Sequence, residues 1–446
     1  MRYFLDPFGC VKNQVDAENM MALLNNAGWA AVEAAADADL IIVNSCGFIE
    51  SAKQESINAV LGWRKLYPEK KILLAGCLAQ RYAKELAALL PEADGFWGNS
   101  DIAGIVHLAS RAAGFKPKAA EKPQTASAAS LRPLLSLPGS AYVKISEGCG
   151  NRCTFCAIPL IRGDLRCRTV PDILEECRGL LDRGIKELCI IGQDIGSYRS
   201  EGAGLPELLE AVSLLKGNFW VRLLYIHPDH FPLPVLDIME RDSRFLPYFD
   251  LPFQHASPGI LSAMNRHGTA ESYLALVETI RRRLPGAVIR STFLAGFPGE
   301  TKEDFTALLN FQEQLQADWL GCFAYSREED TPACSMKGQV SKKTAAGRKR
   351  IVEDRQIPIT EKRMDRFAGQ TLEVLIEEQF EAAEGEAKTE GGENIWLGRL
   401  YCHAPEVDGT AVITAGNDAK LKTGAIVFCK AIARRGFDIE VRIRGK

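Results

Sequence analysis

No run of about 18 apolar residues occurs in this chain, so no segment is long enough to cross a bilayer as a helix. Charge of one sign is also lacking: 57 acidic and 54 basic residues leave a formal net charge of −3. That excludes a global pull toward nucleic acid and leaves only local patches to consider. The start, Met1 to Cys10, has no charged stretch followed by an apolar core and a cleavage site. The expected compartment is therefore the cytoplasm, with no membrane partner. Histidine is scarce, at six residues, and none lies near the cysteine-rich stretch around position 150. What the chain does have is cysteine, 13 in all. Disulfides are disfavoured in the cytoplasm, so clustered cysteines there point to metal or redox chemistry. Cys177, Cys189, Cys322, Cys402 and Cys429 read as small buried hydrophobes. Cys334 falls in an expected loop and has no assigned role.

The 446 residues suit two or three domains. Residues 1–115 alternate strand-like runs (Tyr3–Pro7, Leu40–Asn44, Lys71–Ala75) with helical ones (Gln14–Ala27, Ser51–Tyr67), the mark of βαβ units and a parallel sheet. Residues 116–137, rich in Ala, Pro, Ser and Lys, read as a linker. A second α/β run, residues 138–369, offers strands at Ala141–Ile145, Glu187–Ile191, Phe219–Leu224, Phe249–Leu251, Val288–Phe293 and Trp319–Ala324. Six such units suggest a partial (β/α)6 barrel, an open relative of the eight-fold one. Residues 370–440 turn to short β segments, such as Leu372–Ile376 and Ala425–Lys430, and read as a small OB-like β-barrel.

Within the second run, Gly148-Cys149-Gly150-Asn151-Arg152-Cys153-Thr154-Phe155-Cys156 follows the first strand directly. In barrels of this kind the C-terminal strand ends carry the active site. Iron–sulfur clusters usually take four thiolates. A set of three leaves one iron open for a ligand that is not protein. A zinc knuckle or buried thiols are the alternatives. Zinc would want a fourth ligand nearby, and Cys167 is the only spare thiol close by.

These residues resemble the radical S-adenosylmethionine (SAM) signature, CxxxCxxC after a first barrel strand. The resemblance implies a 4Fe–4S cluster on Cys149, Cys153 and Cys156 whose open iron is chelated by SAM. It also implies one-electron cleavage of SAM to a 5′-deoxyadenosyl radical that abstracts hydrogen from an unactivated carbon. The protein would hold the cluster, shield the radical and orient the substrate.

Cys10, Cys46 and Cys77 each follow one of the strands expected in the first domain. In a parallel sheet all C-terminal strand ends share one edge, so these distant cysteines can meet. The glycines beside them, Gly9, Gly47 and Gly76, let the backbone approach a bulky ligand. Three buried thiols at helix–sheet junctions are the alternative. The domain resembles the N-terminal half of the methylthiotransferases. That resemblance implies an auxiliary 4Fe–4S cluster on these cysteines, carrying the sulfur that one SAM methylates before a second SAM generates the radical. It covers nearly the whole chain, the last segment resembling a TRAM domain.

Two substrates compete in that family, an adenosine of tRNA and an aspartate of the twelfth small-subunit ribosomal protein. Gly192-Gln193-Asp194, Tyr225-Ile226-His227-Pro228-Asp229, Leu251-Pro252-Phe253-Gln254-His255 and Ala404-Pro405-Glu406-Val407-Asp408-Gly409 resemble the ribosomal-protein branch. Charge agrees: from Thr371 to Gly409 ten acidic side chains face two basic ones. Such a surface suits a basic ribosomal protein rather than phosphates, unless it is a solvated face with no partner. The terminal Arg434, Arg435, Arg442, Arg444 and Lys446 leave an rRNA contact open. An external electron donor, flavodoxin-like or similar, is implied. A cluster-bearing RNA-binding protein without enzymatic activity is the third reading. Phe155, Gln193, His255 and Arg290 are candidate contacts for SAM or substrate; packing is the alternative for Phe155, and a hydrogen-bonded core or rim polar group is the alternative for the other three. Gly150, Cys167 and Asp330 depart from the family pattern, which has Asn, Ser and Gly there.

Overall fold

The computed structural model describes residues 1–116, 131–380, 394–416 and 419–443. Most of the expected linker lies outside the described residues, as do Arg444 and Lys446. So do five of the ten acidic residues between Thr371 and Gly409. The chain forms two compact units. The first comprises Met1–Leu135, Tyr142–Gly179 and Ser326–Cys334, the second Ser136–Ala141, Leu180–Tyr325 and Ser335–Lys446.

The first unit begins with β1 (Arg2–Pro7), α1 (Val11–Asn26), β2 (Ala30–Ala31), β3 (Leu40–Ser45), α2 (Glu50–Leu66), β4 (Lys71–Gly76), α3 (Cys77–Leu89), β5 (Gly95–Trp97) and α4 (Ile105–Ala113). The strands pair in parallel in the order β2-β1-β3-β4-β5. Strand β3 is buried along its whole length, which is why it reads as a continuous apolar run. Its alternate residues serve opposite faces. Leu40 and Ile42 pack with Met20 and Leu24 of α1 and Ile105 and Ala109 of α4. Ile41 and Val43 pack with Val60 of α2 and Leu78 and Leu86 of α3. The sheet is thus covered on both sides, and its free edge is the one where β1, β3 and β4 end.

After β6 (Ser140–Lys144) the first unit continues through β7 (Ser146–Glu147), α5 (Ile158–Arg162), β8 (Arg166–Cys167) and α6 (Val170–Asp182). Buried Arg132 ties the segment before β6 into this unit through ion pairs with Glu18 of α1 and Glu176 of α6.

In the second unit, β9 (Glu187–Ile191), β10 (Trp220–Leu223), β11 (Phe245–Asp250), β12 (Val288–Ala295) and β13 (Trp319–Ala324) pair in parallel. Their order is β13-β12-β11-β10-β9, open rather than closed. This is the expected partial barrel. The C-terminal strands β14 (Thr371–Phe380), β15 (Asn394–Arg399), β16 (Ala411–Ala415), β17 (Ile426–Arg435) and β18 (Asp438–Ile443) close into a barrel in the order β14-β15-β16-β18-β17.

Within this unit the small barrel is anchored by buried charge. Glu187 of β9 accepts from Arg222 of β10 and from Arg399 of β15, and Arg399 also reaches Glu377 of β14. Asp408 accepts from the Tyr248 hydroxyl at 2.6 Å and from the Ala404 N–H at 2.8 Å. Glu377 and Asp408 were counted toward an acidic outer face. The structure corrects that: both carboxylates are buried and partnered inside the unit.

Candidate active site

Each cysteine of the scattered trio sits at the C-terminal edge of the first sheet. Cys10 caps α1 after β1, Cys46 follows β3 directly, and Cys77 opens α3 straight after β4. Glycines make the three converge. A Cβ on Gly9 would lie 2.9 Å from the Cys46 Cβ, and one on Gly47 would lie 2.8 Å from the Cys77 carbonyl carbon. Gly76 stands at φ +93°, and a Cβ there would strike Asn44 Oδ1 at 2.6 Å. Only glycine fits these positions.

The thiols sit in unlike surroundings. At Cys10, crowding by protein opposes the thiolate, but Lys12, Arg162 and the backbone N–H groups of Asn13 and Lys12 outweigh it and lower its pKa. Burial raises Cys46, against a backbone N–H from Phe48. Burial also pushes Cys77 up to about 12, with Arg162 the main opposing charge. Thiolates at such sites form as the metal binds and the proton leaves.

The second trio lies on the loop between β7 and α5. Gly148, at φ +76°, starts it. A Cβ there would fall 2.2 Å from the Asp164 carbonyl oxygen. The Cys149 N–H donates to the Gly163 carbonyl at 3.2 Å and the Cys156 N–H to the Cys153 carbonyl at 3.0 Å. The Ile158 N–H donates to Cys156 Sγ at 3.5 Å. All three cysteines are half-buried. Gly148→Ala is expected to cost the enzyme this cluster, because the loop must open by more than an ångström to admit the methyl group. Iron content should fall by about four atoms per chain, and SAM cleavage should cease. Full iron loading in this variant would count against the loop as the cluster's cradle.

Both trios belong to the first unit, and the elements that carry them touch there. Cys77 packs against Ala157, which directly follows Cys156, and against Ile161 of α5. Among the described residues, no three His, Cys, Asp or Glu side chains close on a single metal ion. Thiolates on a four-iron cube bind different irons and stand farther apart than ligands of one ion. Three cysteines per site and a glycine-cleared approach fit such a cluster in both places.

Sequence reasoning missed the charged network under the trios. Arg162, 2% exposed by side chain, pairs with Asp16 at 2.9 Å and Glu147 at 2.7 Å, and donates to Cys77 Sγ at 3.1 Å. Lys144 pairs with the same two carboxylates. Burial favours the neutral form of Glu147, but Lys144 and Arg162 outweigh it and hold its carboxyl well below the usual range. The one available signal was an arginine ending the apolar string Ala157-Ile158-Pro159-Leu160-Ile161.

The remaining candidates divide. Phe155, between Cys153 and Cys156 in sequence, is half-buried. Gln193 and His255 follow strands β9 and β11 of the second unit. His255 is buried, accepts from the Ser257 N–H at 3.0 Å through Nδ1, and is pushed down to about 4 by burial, so its imidazole is neutral. Arg290 lies near the start of β12 and pairs with Asp250 at 3.5 Å and Asp408 at 3.4 Å. The Gly192–Asp194 and Tyr225–Asp229 strings build the strand-end loops. Asp194 Oδ1 accepts from the Gly196 and His227 N–H groups, both at 3.0 Å. Cys167 lies on the two-residue strand β8 opposite Ser146 and is half-buried. The five cysteines read as hydrophobes are all buried.

Three family models match the chain. Residues 2–98 match the family described as Uncharacterized protein family UPF0004, residues 143–311 the Radical SAM superfamily, and residues 368–443 the TRAM domain. The ribosomal protein uS12 methylthiotransferase RimO of Treponema denticola is 46% identical, over 98% of this chain and 99% of the relative. RimO of Carboxydothermus hydrogenoformans is 38% identical over 96% of each. Among solved structures, the radical SAM methyltransferase TsrM of Kitasatospora setae shares the fold at a TM-score of 0.55, with 15% identity over 74% of each chain. No helix among the described residues is long and apolar enough to cross a membrane. This chain belongs to the RimO family of ribosomal protein uS12 methylthiotransferases, within the radical SAM superfamily.

Proposed function

We propose that Cys149, Cys153 and Cys156 hold one 4Fe–4S cluster, that Cys10, Cys46 and Cys77 hold a second, and that the enzyme adds a methylthio group to the β-carbon of an aspartate in ribosomal protein uS12. The observation that supports this is that both trios lie in one unit, where Cys77 packs on the residue after Cys156. When bound, the clusters and SAM supply the radical that removes hydrogen and the sulfur that replaces it. The chain's own work is to hold each centre by three thiolates, which leaves one iron of each open. It also keeps the glycine approaches clear and buries the counter-charges around Cys77.

Phe155, Gln193 and His255 are the proposed contacts for SAM or substrate. His255 suits a neutral hydrogen-bonding role, since its Nε2 has no hydrogen bond among the described residues. Arg290 is left out because its guanidinium is committed to Asp250 and Asp408. An external one-electron donor of flavodoxin type, uS12 as a basic protein partner and a cytoplasmic site of action complete the reading. An rRNA contact rests on the TRAM match, because Arg434 is paired with Glu361 and Asp365, and Arg435 with Glu440.

The test is mass spectrometry of uS12 and of tRNA after incubation with the reconstituted enzyme, SAM and reductant. A methylthiolated uS12 aspartate is expected. A modified adenosine beside unmodified uS12 would reverse the substrate. Absence of 5′-deoxyadenosine would remove the radical chemistry altogether.

A further inference from the structure

We propose that Arg162 is a positioning residue for the auxiliary cluster: its guanidinium fixes the Cys77 sulfur from the element that follows the radical-SAM trio, and so raises the reduction potential of the cluster bound there. This rests on the reading of Cys10, Cys46 and Cys77 as cluster ligands.

Cys77 is singled out among the three. Arg162 Nη2 donates to its sulfur at 3.1 Å, and Asn99 Nδ2 donates at 3.4 Å. It packs against Ala157 and Ile161. The other two cysteines draw backbone N–H groups, from Lys12 and Asn13 for Cys10 and from Phe48 for Cys46. A charged donor to a cluster sulfur is stronger than a neutral one. Hydrogen bonds to the sulfurs, net charge and exposure are what set the potential of such a cluster.

The charge balance sharpens the argument. Two carboxylates, Asp16 and Glu147, are matched by two cations, Lys144 and Arg162. Removing Arg162 leaves that buried group one negative charge in excess, directly beside the cluster. Its Nη1 is occupied by the carboxylates and its Nη2 by the sulfur, so the guanidinium cannot turn away. Arg162 ends α5, and α5 begins two residues after Cys156. A shift of the loop that carries one cluster therefore moves the donor to the other.

The experiment isolates the auxiliary centre in the full-length chain with Cys149, Cys153 and Cys156 all replaced by alanine. In that background Arg162→Gln and Arg162→Lys are compared by iron content and by redox titration followed by electron paramagnetic resonance. Arg162→Gln should keep about four irons and shift the midpoint to lower potential. Arg162→Lys, which keeps the charge but not the forked donor, should fall between. An unchanged midpoint in a fully loaded Arg162→Gln protein would overturn the proposal. If Arg162→Gln fails to fold, an unchanged midpoint in Arg162→Lys would do the same. A purely structural arginine would alter thermal stability and leave the midpoint alone. Absence of any iron in the parent background would instead sink the auxiliary-cluster reading, and so separates the two failures.

Discussion

Replacing Cys10, Cys46 and Cys77 together by alanine is expected to yield a protein that still cleaves SAM but transfers no methylthio group. Iron should drop from about eight to about four atoms per chain. The 5′-deoxyadenosine signal should persist, and uS12 should stay unmodified. The geometry supports this separation. The three side chains hang from the ends of β1, β3 and β4, and the apolar residues that hold those strands lie elsewhere, in Leu40–Val43 and its two helical layers. Alanine also fits each position, because the crowding there is around the neighbouring glycines. The loop of the radical-SAM trio keeps its own supports, the Cys149 and Cys156 backbone hydrogen bonds and the Gly148 turn. Methylthiolated uS12 from this triple variant would show that the sulfur comes from elsewhere. Loss of all eight irons would show that the two centres do not assemble independently.

The gathering of Cys10, Cys46 and Cys77 at one sheet edge was legible because each follows a strand whose pattern is strong. Leu40–Ser45 is buried throughout and reads as an apolar run, and Lys71–Gly76 nearly so. Parallel order then forces Cys46 and Cys77 to one edge without any contact being known. The short strands β2 and β5 were invisible, since two or three residues carry no periodicity. The buried ions were invisible for another reason. Lys144 finds Asp16 at a sequence separation of 128, and nothing local marks either as internal. The same blindness produced the acidic outer face: Glu377 and Asp408 look solvated in sequence and are partnered in the fold. Departures from the family pattern are explained in part. Asp330 adopts φ +62°, a conformation that favours glycine and that aspartate tolerates. Gly150 has open space where its Cβ would be and no need of a positive φ, so a larger residue there is natural.

Arg399→Ala is expected to destabilise the second unit by roughly 3–5 kcal/mol, the cost of leaving a buried ion partner unmatched. Against a total of about 5–15 kcal/mol this approaches loss of the fold. Arg399 is 3% exposed by side chain and donates to Glu187, to Glu377, to Ser140 Oγ at 2.7 Å and to the His403 carbonyl at 3.3 Å. Glu187 would keep Arg222 as an ion pair, but Glu377 would lose its ion-pair partner and keep only the more distant charge of Arg222. The pH dependence identifies the cause. Burial opposes the charge on Glu187, yet Arg399 and Arg222 outweigh it and hold it at about 2 against an ordinary 4.5. A carboxylate depressed in the folded state stabilises above its unfolded pKa, and that contribution drains away as pH falls from about 4.5 through about 2. Without Arg399 the Glu187 pKa climbs, and that of Glu377, already raised by burial, climbs further. The gap between wild type and Arg399→Ala should therefore be widest above pH 4.5 and narrow as the solution approaches pH 2. Urea unfolding at a series of pH values measures it. A gap that is constant across that range would mean the arginine acts by packing alone, and equal midpoints at neutral pH would mean that the buried network does not anchor the small barrel.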